Sequence, residues 1–557
     1  MTVVGKPSLP VRRSLPPSSR RSRLASTTPF IAASLLLPVA IAPPAFAQPS
    51  EVLGLSPGDV DLTLSATGEV TLTDNAGGAG TGSGGGNDDD GDIITTLTGN
   101  AAAVVNGART TLAGSYRLSY DQYLSQTDRS GFRQNMLASG TYEAVEDHLF
   151  FDASASMSTE FAGVGAASAT DRAGVGNQTQ TFSWALGPTW KQRVGGSFAD
   201  LAATYRLSGT TFFEASSGDV GDQNRPGDGI IHNASIGLTS GRDFSRFRWG
   251  LTGSWQLQTD AGGDNNASGG DDESSRRSVE ANTEYRINRQ FGLLGSVGYD
   301  DVMLADSSEG AKTEDDLSGL FWSAGLRFNP SNRTDMRAEY GQRYGEPFYR
   351  GSVDWQVTQR TSITASYNTE LVTLQEALAN RLSYDLSDPA QFNNFLSAIR
   401  SGAQCAVILG GESICDELSL VDATTRTETF RLAATHRQER TTYTLTGTVT
   451  QRDFTQSGAE DTTLGVTGIV SHALTPQTSG QITVGYTASD NTVSGNETTG
   501  LTTSEGTTSL RGSLSLSHQF ADDLNGAVSY SHLRRDEDNS SGTSSENALV
   551  ARLTVTF

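Results

Sequence analysis

What the chain lacks narrows it first. Past the N-terminus it has no long uninterrupted apolar run, and hydrophobic residues make up only 36% of its 557 residues. A helical membrane protein needs roughly 20 consecutive apolar residues per span, so that class is excluded. Positive charge is scarce. Lys6, Arg12, Arg13, Arg20, Arg21 and Arg23 all fall in the first 25 residues, and without them 34 basic residues face 63 acidic ones, a net charge of −29. Phosphate recognition needs the opposite sign, so no nucleic-acid partner is expected. Histidine is rare, with His148, His232, His436, His472, His518 and His532 the whole set. None forms a His-x-x-x-His or Cys/His pair, so no metal site is expected. There is no Gly-x-Ser-x-Gly elbow and no phosphate-cradling loop with Lys-Ser or Lys-Thr, so no catalytic residues and no cofactor are expected. Asn87-Asp88-Asp89-Asp90-Gly91-Asp92 has the acid density of a calcium loop but not the closing glutamate.

Cysteine is nearly absent. Cys405 and Cys415 are the only two, ten residues apart in one connecting segment. In an exported protein a local disulfide is the natural reading, with two buried thiols as the alternative. Export itself is read from residues 1–47. A basic region is followed by an apolar stretch from Phe30 to Ala42 and a small-x-small site at Ala45-Phe46-Ala47.

What is present is alternation. Leu549, Ala551, Leu553, Val555 and Phe557 share one face of the last segment, and Val550, Arg552, Thr554 and Thr556 share the other. Phe247, Trp249, Leu251, Trp255 and Leu257 alternate with Arg248, Thr252, Ser254 and Gln256. A period of two is the mark of strands with one face buried or in lipid. A soluble sandwich also alternates. Here the polar face is mostly small hydroxyls with scattered arginine, and aromatics gather toward strand ends. Short connectors such as Asn106-Gly107-Ala108 also alternate with longer polar ones such as Ala162 to Asn177. Both features fit a transmembrane barrel.

The expected architecture is therefore all-β, a transmembrane antiparallel up-and-down barrel of about 22 strands (20–24), reached by counting alternating segments. Residues 48–60 form a short periplasmic lead. The barrel runs over 61–557, and 370–422 is a long external loop, read either as a fold over or inside the mouth or as an insert with no role beyond packing. Within it Asp388-Pro389, Ala390, Phe392, Phe395, Leu396 and Ile399 predict a short amphipathic helix. Leu553, Val555 and Phe557 read as the terminal strand that the barrel-assembly machinery inserts. The apolar face meets outer-membrane lipid and lipopolysaccharide.

Arg117, Arg206, Arg248, Arg327, Arg337, Arg431, Arg452, Arg511 and Arg552 fall on the polar face, with Asp121, Asp200, Asp335 and Glu339. One reading is that they pair across strands. The sharper one is an arginine track that guides an anionic polymer, since rings of arginine select anions.

The stretches Glu143-Ala144-Val145-Glu146-Asp147-His148-Leu149-Phe150-Phe151-Asp152-Ala153-Ser154-Ala155, Gly196-Ser197-Phe198-Ala199-Asp200 and Phe321-Trp322-Ser323-Ala324-Gly325-Leu326-Arg327 resemble the outer-membrane barrels associated with the PEP-CTERM/exosortase system. That resemblance implies a Gram-negative outer-membrane location. It also implies a link to exopolysaccharide production or to the sorting of surface proteins; the missing catalytic motifs point to a non-enzymatic role. A pore or export conduit is the favoured function, with a non-conducting docking barrel, its acidic loops on surface polymer or sorted proteins, as the alternative. A siderophore-type receptor would need a plug domain before the first strand, and only Gln48 to Val60 precedes it here.

Overall fold

The structure is a computed structural model. It describes residues 60–76, 91–161, 178–214, 228–261, 273–304, 317–380, 382, 407–408, 412–413, 424–455, 460–493, 503–537 and 543–557. The chain divides into two compact units, Met1–Val52 and Leu53–Phe557. The first lies outside the described residues, as do the predicted cleavage site, the 388–399 helix, Cys405 and Cys415.

The second unit is one closed antiparallel sheet of 22 strands. In chain order these are β1 (Val60–Thr73), β2 (Asp92–Asn106), β3 (Thr110–Tyr123), β4 (Gly131–Val145), β5 (Leu149–Phe161), β6 (Gln178–Val194), β7 (Ala199–Glu214) and β8 (Asp228–Ser240). Then come β9 (Phe247–Ala261), β10 (Glu273–Arg286), β11 (Phe291–Met303), β12 (Gly319–Ser331), β13 (Thr334–Arg343), β14 (Glu346–Thr358) and β15 (Thr361–Thr373). A seven-residue helix, α1 (Leu374–Asn380), follows β15. The wall resumes with β16 (Thr424–Arg437), β17 (Thr441–Phe454), β18 (Glu460–Ala473), β19 (Thr478–Val493), β20 (Thr503–Ala521), β21 (Leu524–Glu537) and β22 (Thr543–Thr556).

Each strand pairs with its sequence neighbours, and β1 pairs with β22 from Ser65 opposite Thr556 to Thr73 opposite Ala548. The Phe557 N–H donates to the Leu64 carbonyl at 2.7 Å, so the C-terminus itself is laddered. Closure satisfies the terminal strand edges, which lipid could not do.

The alternation read from the sequence sets which face is which. On β1, Leu62, Leu64, Val70 and Leu72 are exposed, while Glu69, Thr71 and Thr73 are buried. The large apolar side chains point outward nearly everywhere, and Leu97, Phe132 and Leu320 are among the most exposed. Such a surface is stable only against lipid.

The β13–β14 hairpin is the shortest connection on the external side. Its turn is only Tyr344-Gly345, both with positive φ (56° and 74°). That is the two-residue turn that matches strand twist, normally built with Asn-Gly or Asp-Gly. A tyrosine there carries a backbone cost that its buried ring offsets. Strand and loop boundaries moved little from expectation. β1 begins at Val60, one residue before the expected start of the barrel, and β15 runs to Thr373, four residues into the expected external loop.

Candidate functional site: the lumen and its external mouth

The inner face is a mesh of hydroxyls and ion pairs. Thr67 meets Thr554 at 2.9 Å, Thr98 meets Ser119 at 2.9 Å and Ser296 meets Ser323 at 2.7 Å. Alternation along the strands puts all nine arginines singled out above on this face. Several are held by carboxylates on the same strand or on one no more than two strands away. Arg327 bonds Glu284 at 3.0 Å and Asp335 at 2.5 Å, and Arg337 lies 3.5 Å from Asp335. Arg452 pairs with Asp461 at 2.7 Å, and Arg552 with Glu69 at 2.7 Å. Arg206 donates to the Ser154 hydroxyl at 3.4 Å. Arg248 is exposed near the periplasmic end of β9, and Arg117, Arg431 and Arg511 stand on the same inner face further around. Arg133 with Asp121 at 2.5 Å and Arg343 with Asp300 at 2.7 Å are further inner pairs. Of the acids singled out, Glu339 accepts from Ser323 at 2.9 Å, and Asp200 lies 3.9 Å from Arg193, both exposed.

Among the described residues, the helix α1 reaches into the external mouth. It leaves the top of β15 and packs against β6, β7 and β8, on a different stretch of the wall. Its start is fixed by Thr373, whose hydroxyl accepts the Glu376 N–H at 3.2 Å. Thr373-Leu374-Gln375-Glu376 is thus a Thr-x-x-Glu helix start, a signal legible in the sequence. Leu374 and Leu378, four residues apart and so on one helix face, bury against Phe212 of β7. Gln375 is 1% exposed and accepts from Gln258 at 3.0 Å, and Gln258 in turn accepts from the Thr373 hydroxyl at 2.6 Å. Glu376 takes Arg276 at 2.8 Å on one oxygen and Gln256 at 3.0 Å on the other. Arg276 also reaches Gln256 at 2.9 Å and the Leu371 carbonyl. The side chains of the Arg276–Glu376 pair are 24% and 12% exposed, so each charge depends on the other.

A second apolar cluster sits beside it: Val302, Leu317, Tyr344 and Leu371, with Leu304 packed on it. Burial holds the Tyr344 phenol pKa above its ordinary value, against the pull of Arg343 and Arg276.

The described end of the candidate calcium loop is put to other use. Asp92, its last residue, accepts N–H groups from Ile93, Leu124, Ser125 and Gln126 at 2.7–3.2 Å, so its carboxylate is committed to the backbone. Asn87 to Asp90 lie outside the described residues. Three histidines form a repeated cross-strand device at the periplasmic ends: Nδ1 of His436, His472 and His518 meets the hydroxyl of Thr361, Thr441 and Thr478 at 2.9, 2.7 and 2.8 Å. Among the described residues no cluster of metal-ligating side chains occurs.

The wall resembles known barrels. The chain matches the FrpB iron transporter of Neisseria meningitidis (F3-3 variant) with TM-score 0.51 and 11% identity over 91% of this chain and 83% of that one. The protein is an integral outer-membrane β-barrel. The siderophore receptor PirA of Acinetobacter baumannii also matches, at TM-score 0.47 and 8% identity over 89% of this chain and 80% of that one. At these identities the likeness concerns the fold alone. No family model and no curated protein matches the chain.

Proposed function

We propose that the barrel is a conduit across the outer membrane for a polar, anionic polymer, narrowed at its external mouth by α1. The observation that carries this is the inner face itself. A closed 22-strand wall whose described inner face carries hydroxyls and arginine–carboxylate pairs supports a wet route for a polar cargo. Barrels of this strand number enclose a lumen wide enough to need filling. The resemblance of residues 143–155 and 321–327 to the PEP-CTERM-associated barrels supports an exopolysaccharide, or a protein sorted with it, as the cargo. The test is single-channel conductance of the refolded protein in a planar bilayer. Steady openings that an anionic polysaccharide blocks in a concentration-dependent way are expected. A folded barrel that conducts no ions sinks the reading.

A second reading rests on the same helix. The buried Arg276–Glu376 pair and the Phe212–Leu374–Leu378 contact fasten α1 across the mouth. Were that closure permanent, the barrel would be a docking platform whose acidic external loops hold surface polymer. Conductance that stays absent after α1 is unfastened, together with polymer retained by the folded protein, favours it.

A further inference from the structure

The periplasmic rim is split by charge. Ten turns join the strands at that end, and five successive ones, from β8–β9 to β16–β17, are basic. They hold Arg242, Arg246, Arg289, Arg333, Arg360 and Arg440 against two acids, Asp243 and Glu439. The other five turns hold one arginine, Arg109, against Glu146, Asp147, Asp522 and Asp523. In a chain with a net charge of −23, arginine gathered on one half of one rim is not a by-product of composition.

The six arginines of the arc are exposed, and among the described residues none of them pairs with a carboxylate. Asp243 is engaged elsewhere, accepting the Ser197 hydroxyl at 2.6 Å. The backbone beneath the arc is fixed to its neighbours. The Arg286 N–H donates to the Arg246 carbonyl, the Gln356 N–H to the Arg333 carbonyl and the Arg437 N–H to the Arg360 carbonyl, each at 2.8 Å. Successive turns stand two strands apart, roughly 10 Å. That is about one screening length at 0.1 M salt, so the fields of adjacent turns overlap. A row of like charges held in place this way raises the local concentration of a passing polyanion.

The basic surface also turns inward. On the inner face just below these turns stand Arg248, Arg286, Arg327, Arg337 and Arg437, against Glu284, Asp335 and Asp354. Glu284 and Asp335 are shared among Arg286, Arg327 and Arg337 at 2.5–3.5 Å. The surplus of arginine therefore continues from the rim into the lumen. The connections at the opposite end have the other sign: the one between β1 and β2 contains Asp88-Asp89-Asp90, and the one between β9 and β10 contains Asp271-Asp272-Glu273.

We propose that this half of the periplasmic rim is the loading site of the conduit, where a carboxylated polysaccharide is taken up before it enters the lumen. The proposal rests on the conduit reading above and adds the side from which the cargo comes. An acidic protein docked on the periplasmic end would need the rim alone. The continuation onto the inner face fits a polymer narrow enough to pass. At the external end the same polymer meets carboxylates instead of arginines, which disfavours loading from outside.

The experiment places the full-length protein in phosphatidylcholine nanodiscs and titrates it with fluorescein-labelled alginate, read by anisotropy at low salt. In R289E/R333E/R360E the affinity should fall about tenfold or more, since three attractive contacts become repulsive. R109E/K191E/R193E makes the same change of charge on the other half of the rim and should bind nearly as well as the wild type. Heat-modifiable gel mobility checks that both variants fold. An equal fall in the two, no fall in the first, or no binding by the wild type overturns the proposal. A measurement on unmutated protein stands beside it. Phenylglyoxal labelling of arginine, mapped by peptide mass spectrometry, should be slowed by alginate at Arg289, Arg333, Arg360 and Arg248 and unchanged at Arg109. Protection at the rim without Arg248 marks a surface for a partner that does not enter, and overturns the loading site, as does equal protection of Arg109. Neither readout needs current. A barrel that binds alginate on this arc yet never conducts sinks the conduit and keeps the site, whereas a conducting barrel indifferent to the arc sinks the site alone.

Discussion

Glu376 of α1 and Arg276 of β10 lie 100 residues apart in the chain and 2.8 Å apart at the external mouth. One comes from the helix, the other from the wall, so this contact decides whether the mouth is narrowed. Removing one partner leaves the other charge poorly solvated. Glu376→Ala or Arg276→Ala should each cost the docked helix about 3 kcal/mol. The expected result is a larger or more frequent single-channel opening in either variant. The double variant should do little more than either alone, because one interaction is being removed twice. Unchanged conductance in all three would mean that α1 is held by Phe212, Leu374 and Leu378 instead.

Arg248 and Arg511 test the electrostatics of the lumen. Both are exposed on the inner face, so reversing their charge changes the field that a passing ion meets. Arg248→Glu with Arg511→Glu should move the reversal potential under a salt gradient toward cation preference. The shift should shrink as ionic strength rises, because the screening length falls to about 3 Å at 1 M. A reversal potential that does not move would remove the arginine track.

Gly341 is a steric requirement of the β12–β13 pair. A Cβ there would collide with the Trp322 carbonyl and crowd the Phe348 ring. Gly512 on β20 has nothing within 4 Å of the same position. Gly341→Ala should therefore destabilise the barrel by about 1–3 kcal/mol, as overpacking does, while Gly512→Ala should fold normally. Heat-modifiable gel mobility and urea titration in lipid vesicles would separate the two.

Leu553 is 49% exposed on the lipid face of the closing strand. Leu553→Arg should cost about 2–4 kcal/mol if the residue lies near the bilayer midplane, and less toward the interface. Thr554→Arg, one residue along and facing the lumen, keeps the new charge away from lipid and should cost at most about 1 kcal/mol. Equal losses from the two would contradict the assignment of faces.

The wall was largely legible in the sequence because its rule is local. Alternation needs only neighbours, and connectors such as Asn106-Gly107-Ala108 and Thr358-Gln359-Arg360 announce turns. The mouth was less so. The expected helix fell at 388–399, outside the described residues, while the described one at Leu374–Asn380 carries its own Thr373–Glu376 start signal and a Leu374–Leu378 stripe too short to stand out. The contacts of Gln375 with Gln258 and of Glu376 with Arg276 depend on the curvature of the closed wall, which no local pattern encodes. The Tyr344-Gly345 turn was hidden for another reason. Tyrosine is a poor marker for a left-handed position, and it is accepted there because its ring is buried beneath Leu371.

The pairing of β1 with β22 sets a timetable. The first strand to leave the ribosome has as its partner the last, and Glu69 meets Arg552 across 483 residues. Until the final strand arrives, both ends are unpaired β edges, the feature by which chains aggregate. Closure is the longest-range contact in the molecule, so it is also the slowest to form unaided. A chain that stops short of Thr543 is therefore an open ribbon rather than a smaller barrel. During delivery the cell must keep both edges occupied, and any variant that arrives with its final strand damaged would be expected to burden the periplasmic chaperones and proteases before it ever reached the membrane.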